Sequence, residues 1–140
     1  STISDNQLLI NRPGLAFKGF IPAIFGVQTI AKFSAKTGIY MKQTTFDSFL
    51  RNPDNKADEF ETEVLKKFAD PSYPRQGNKI FSEIVDDGRS ARVMLPLFYI
   101  RWCLMCHGEP KGDIDISGYA KEGGKEGELG GAISAKIPLE

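Results

Sequence analysis

Six consecutive residues constrain this 140-residue chain more than any others: Cys103-Leu104-Met105-Cys106-His107-Gly108. They hold both cysteines and the single histidine of the protein. On a helical turn, positions i, i+3 and i+4 share one face. The spacing therefore predicts a short helix that points two thiols and one imidazole the same way. A structural zinc site wants four ligands, and only three Cys or His exist. A Cys-x-x-Cys redox pair has no need of the histidine, and no thioredoxin-like βαβ pattern surrounds this one. A structural disulfide also leaves His107 idle.

Cys-x-x-Cys-His is the attachment pattern of c-type haem. Cys103 and Cys106 would reach the two vinyl groups of one porphyrin and form thioethers. His107 would then point its imidazole at the iron. This reading uses every Cys and His, and it predicts one covalent haem c with His107 as the metal ligand. Haem c attachment takes place outside the cytoplasm. The expected location is therefore periplasmic or otherwise extracytoplasmic, with a signal peptide or anchor upstream of Ser1.

The remaining sequence predicts the fold that presents this turn. A chain of 140 residues with 41% hydrophobic residues suits one domain, spanning residues 1–140. Residues 14–38 form an apolar helix pattern through Phe17, Phe20, Ile21, Ile24, Phe25, Val27, Ile30 and Phe33, with Gly38 as the stop and a kink expected at Pro22 and Gly26. A strand follows from Ile39. Next comes a helix capped by Asn55, with a buried stripe of Phe60, Val64, Leu65 and Phe68. Residues 79–85 and 91–100 read as a hairpin around Asp86-Asp87-Gly88, and Pro96 pushes the second strand toward an edge or a bulge. Residues 108–131 hold eight of the 14 glycines and read as a long functional loop before a last strand. The order predicts α+β with an antiparallel sheet.

Charge narrows the partners. Lys plus Arg and Asp plus Glu are both 18, so the net charge is zero and a nucleic-acid partner is not expected. The apolar run 19–30 is far short of the roughly 20 residues of a membrane span. Met41, Met94, Tyr40 and Lys42 are candidates for a sixth iron ligand beside the alternative of core packing. Arg51, Lys42 and Arg101 are candidates for binding haem propionates. Trp102 either stacks beside the porphyrin or packs in the core.

Two stretches, "KTGIYMKQTTFDSFLRNPDNKADEFETEVLKKF" and "CLMCHGEPKGDIDISGYAKEGGKEGELGGAISAKIPLE", resemble the haem c-binding, PAS-like sensor domain of bacterial histidine kinases and chemoreceptors, which also occurs as a stand-alone protein. The most specific matches are Arg51, Asn52, Pro53 and Asn55, the Cys103–Asp113 run, and the Gly127–Ser134 run. The resemblance implies a PAS-like antiparallel sheet with flanking helices and haem held against the sheet. Some members place a cysteine in the first helix as sixth ligand, and here that position falls near Ala23. The departure implies an open distal side lined by Phe20, Ile24 and Val27, suited to a diatomic gas, nitric oxide above all. The expected function is thus an extracytoplasmic sensor of a diatomic gas or of redox state. The alternative is a soluble monohaem electron carrier with a Met or other sixth ligand and a redox partner. Enzyme chemistry is not expected, since no second histidine exists to serve the distal side. A homodimer through the first helix is an expectation at the level of fold.

Overall fold

The structure, a computed structural model, describes residues 22–139; within the first helix the side chains of residues 22–25 and 27 lie outside the described set. Helix α1 spans Pro22–Thr37 and stops before Gly38, as expected. It runs unbroken through Gly26. A Cβ at Gly26 would stand 2.8 Å from Gln43 Nε2, so the glycine serves a close helix–strand approach where a kink was expected. Strand β1 spans Tyr40–Thr44.

Helix α2 spans Glu59–Ala69, and its N-cap is Asp58, not Asn55. Asp58 Oδ1 accepts from Glu61 N at 2.7 Å, and Glu61 Oε1 accepts from Asp58 N at 2.9 Å. This reciprocal capping box satisfies two backbone donors at once, which an isolated asparagine cannot do. Asn55 instead ends a 3-10 turn, Pro53–Asn55, whose cap is Asn52.

Strands β2 (Phe81–Val85) and β3 (Ser90–Phe98) form the hairpin that the sequence predicts. Strand β4 spans Leu129–Pro138, beginning three residues before the predicted strand at Ala132. The sheet is antiparallel in the order β1-β4-β3-β2. Strand β3 is thus internal. Pro96 nevertheless lies past the last β2–β3 pair, Phe81 with Met94, where only β4 flanks the strand. A bulge follows at once, between Leu97 and Phe98. The proline is tolerated because one side of the strand is locally open.

Alternation along the strands divides the sheet into two faces. Met94, Ala132 and Leu129 face α2 and pack with Val64, Leu65 and Phe68 into one buried cluster. Full burial of side chains of this size is worth about 1.5–3 kcal/mol each. Phe60 lies half-buried at the edge of the cluster. The same face holds fully buried Glu61, paired to Lys42 Nζ at 2.9 Å and facing Arg92 Nη2 at 3.8 Å. The opposite face carries Met41, Val93, Leu95, Leu97 and Ile133, all half-buried or exposed, with α1 packed beside Gln43. The molecule is α+β, as the order of its elements predicts. Among the described residues no helix is long and apolar enough to cross a membrane.

Candidate functional site

After β3 the chain makes a 3-10 turn, Arg101–Cys103, and then one α-helical turn, α3, Leu104–His107. Cys103, Cys106 and His107 therefore stand on one short helical stretch, as their spacing requires. Both cysteines are half-buried free thiols. Burial pushes the Cys106 thiol up, with the Asp115 charge adding to it. A thiol so raised is a poor redox thiolate.

The long loop between α3 and β4 folds back over this turn. Gly124 N donates to His107 O at 2.7 Å, and Gly123 N donates to Gly108 O at 3.1 Å. Tyr99, just past β3, is buried beneath the loop. Its ring stacks on the His107 imidazole with centroids 5.3 Å apart and planes 19° apart. A Cβ at Gly124 would come within 2.5 Å of that ring, and one at Gly130 would also collide with it. Only glycine lets the loop and β4 close on both sides of Tyr99. Burial pushes the Tyr99 phenol up to about 12, with the Glu122 charge adding to it.

His107 keeps 27% of its side chain exposed. Its Nδ1 lies 2.8 Å from Glu122 Oε2. Beside a carboxylate Nδ1 carries the proton, which leaves the Nε2 lone pair to act as a ligand. No protein hydrogen bond reaches Nε2 from the described residues. Burial pushes the Glu122 carboxyl up, but hydrogen bonds from Arg51 and from His107 outweigh it and hold the group below its ordinary value.

Arg51 organises the acidic side of the site. Its Nε donates to Glu122 Oε1 at 2.8 Å and its Nη2 to Glu122 Oε2 at 3.1 Å, a bidentate fork. Nη1 donates to Asp115 Oδ2 at 2.6 Å, and Nη2 also donates to Cys106 O at 2.8 Å. Asp115 has no exposed side-chain surface and accepts further bonds from Ser117 N, Ser117 Oγ and Tyr119 N.

The residues picked out by sequence divide between these surroundings and others. Cys103, Cys106, His107 and Arg51 come together, and the guanidinium of Arg51 is engaged by protein carboxylates. Trp102 is 77% exposed. Phe20 lies outside the described residues, as do the side chains of Ala23 and Ile24, whose backbone belongs to α1. Met94 is buried in the α2 core, and Lys42 on that same face pairs with Glu61, so both are engaged within the protein. Met41 lies on the opposite face, the face to which α1 packs. Glu122, Asp115 and Tyr99 were not picked out by sequence. The one local hint of Glu122 is a carboxylate within the glycine-rich stretch after His107.

The donor set fits a c-type haem. Two free thiols and an imidazole with its Nε2 unengaged share one helical turn. The sheet face that carries Val93, Leu95 and Ile133 holds half-buried apolar residues, the kind of surface a porphyrin needs. Among the described residues no three His, Cys, Asp or Glu side chains gather to hold a metal ion by themselves.

A family model described as Tll0287-like matches residues 2–138 of the chain. Among solved structures the chain is similar to that of the cyanobacterial heme-protein Tll0287, with a TM-score of 0.69, 16% identity, and coverage of 99% of this chain and 91% of that one. At that identity the likeness shows the fold. No curated protein matches.

Proposed function

The chain belongs to the Tll0287-like family, and on that premise we propose that it is a c-type haem protein whose cofactor is held by Cys103 and Cys106, with His107 Nε2 on the iron. One observation carries the reading: Glu122 holds Nδ1 of the single histidine, so that Nε2, one residue from Cys106, is the nitrogen left for a metal. The solved relative, described as a heme-protein, supports the same cofactor. When bound, the haem supplies an iron able to take up a diatomic ligand or an electron.

The role we infer is an extracytoplasmic, PAS-like sensor of a diatomic gas, nitric oxide first, or of redox state. Its support is the shortage of second ligands. The chain has no second histidine and no third cysteine. Met94 lies in the core, and Met105, between the two cysteines, is 58% exposed. With the haem held against the apolar sheet face, as the family resemblance implies, a neutral gas has few competitors for the iron. A second reading, an electron carrier, rests on Met41, which shares the face to which α1 packs.

The optical spectrum of the dithionite-reduced protein, before and after nitric oxide, decides between them. A high-spin, five-coordinate ferrous spectrum that converts fully with the gas is the expected result. A low-spin spectrum indifferent to the gas would turn the assignment to the carrier. No haem at all, from a host competent to attach haem c, would overturn both.

A further inference from the structure

We propose that Arg51, Glu122 and His107 form a charge-compensated relay that sets the electron affinity of the iron, with Glu122 holding the imidazole and Arg51 cancelling the charge that Glu122 places behind it. The proposal rests on the reading of His107 as the iron ligand. A carboxylate on the outer nitrogen of a ligating histidine orients the ring and makes the inner nitrogen more basic. Left uncompensated, its negative charge favours the more positive, ferric state of the metal.

Here the carboxylate is not left uncompensated. Both Glu122 oxygens are gripped by Arg51, at 2.8 and 3.1 Å, and one of them also meets His107 Nδ1 at 2.8 Å. The Glu122 side chain is only 10% exposed, so water screens the pair weakly. The guanidinium cannot drift, because Asp115 and the Cys106 carbonyl hold its other N–H groups. Asp115 returns one negative charge, but it meets a different edge of the guanidinium and is saturated by Ser117 and Tyr119. The Cys106 carbonyl belongs to the attachment turn itself, so Arg51 ties the charge balance to the position of His107. Tyr99 closes one face of the imidazole and leaves Glu122 as the polar contact of Nδ1. Arg51 and Glu122 are thus positioning residues, acting on the iron through His107.

The relay predicts opposite effects from its two outer members, which a clasp with a merely structural role does not. The test is spectroelectrochemical titration of the haem-loaded protein. Glu122→Gln keeps the shape and removes the negative charge, so the midpoint potential rises. Arg51→Gln exposes the Glu122 charge, so the potential falls. At a fixed ambient potential near the midpoint, each changes the ferric-to-ferrous ratio by about tenfold in its own direction, as expected for one charge at short range in a partly screened medium. Arg51→Lys restores the charge without the fork and falls between wild type and Arg51→Gln. Shifts of the same sign, or none, overturn the relay. Should Arg51→Gln fail to fold, Glu122→Gln decides alone: a raised potential supports the relay, and an unchanged or lowered one overturns it. A wild-type protein that never acquires haem removes the underlying reading, and the relay with it. A haem-loaded wild type with unresponsive variants removes the relay alone.

Discussion

The Tyr99 ring lies almost parallel to the His107 imidazole, 5.3 Å from it between centroids, while its hydroxyl is buried with no hydrogen-bond partner among the described residues. The ring contributes packing and the hydroxyl only a desolvation cost. Tyr99→Phe is therefore expected to leave stability unchanged or raise it by about 1 kcal/mol. Tyr99→Ala opens a cavity beside His107 and is expected to cost about 3–5 kcal/mol. Urea unfolding midpoints check both. A Tyr99→Phe protein as unstable as Tyr99→Ala would show that the hydroxyl has a partner after all.

Gly124 and Gly130 enclose that ring from the loop and from β4. Alanine at either position forces its Cβ into the ring. Each substitution is expected to destabilise the fold by about 1–3 kcal/mol, the range for overpacking a tight site. Combining Gly130→Ala with Tyr99→Ala tests the cause. The double variant should lose less than the sum of the singles, because the collision partner is gone.

Asp115 gives the fold an acid-sensitive point. Burial pushes its carboxyl up, but hydrogen bonds from Ser117, Tyr119 and Arg51 outweigh this and hold it below its ordinary value of 3.8. A lowered folded-state value means that the unfolded chain binds the proton more readily. The stabilisation is therefore complete well above pH 3.8 and is lost as the pH falls through the lower folded value. Wild type should lose this stabilisation as the pH falls from about 3.8 through the lower folded value. Asp115→Asn should be less stable at pH 7 and show a shallower loss in acid. Parallel pH profiles for the two proteins would remove Asp115 from the explanation.

Glu61 is fully buried against Lys42 and Arg92. Glu61→Ala strands these two cations and removes half of the capping box. The expected loss is about 3–5 kcal/mol. Asp58→Ala removes the cap and an exposed ion pair, and about 1–2 kcal/mol is expected. Thermal melts rank the two. Neither should alter the optical spectrum of the haem, because the side-chain hydrogen bonds and ion pairs of both residues run to Lys42, Arg92 and each other, and none to the Cys103–His107 turn.

Much of the fold is legible in local periodicity. The i, i+3, i+4 spacing of Cys103, Cys106 and His107 appears as one helical turn. The stripe of Val64, Leu65 and Phe68 appears as the buried side of α2, and the hairpin around Asp86–Gly88 stands where alternation and turn residues put it. The cap of α2 was legible too. Asp58-x-x-Glu61 has the spacing of a capping box, and Asp58 stands directly before the first helical residue, Glu59.

What the sequence by itself determined is the set of groups offered to a cofactor, because that set sits within five consecutive residues and one helical turn. What surrounds the set was decided only by tertiary structure. Arg51 and Glu122 are 71 residues apart, and Asp115 is 64 from Arg51. No spacing rule connects such positions. They meet because β4 inserts between β1 and β3, drawing the glycine-rich loop back across the chain that follows β3. Hydrogen bonds within a turn follow from the chain's own geometry. An ion pair across the fold forms only where the packed sheet brings both side chains together and excludes water from them.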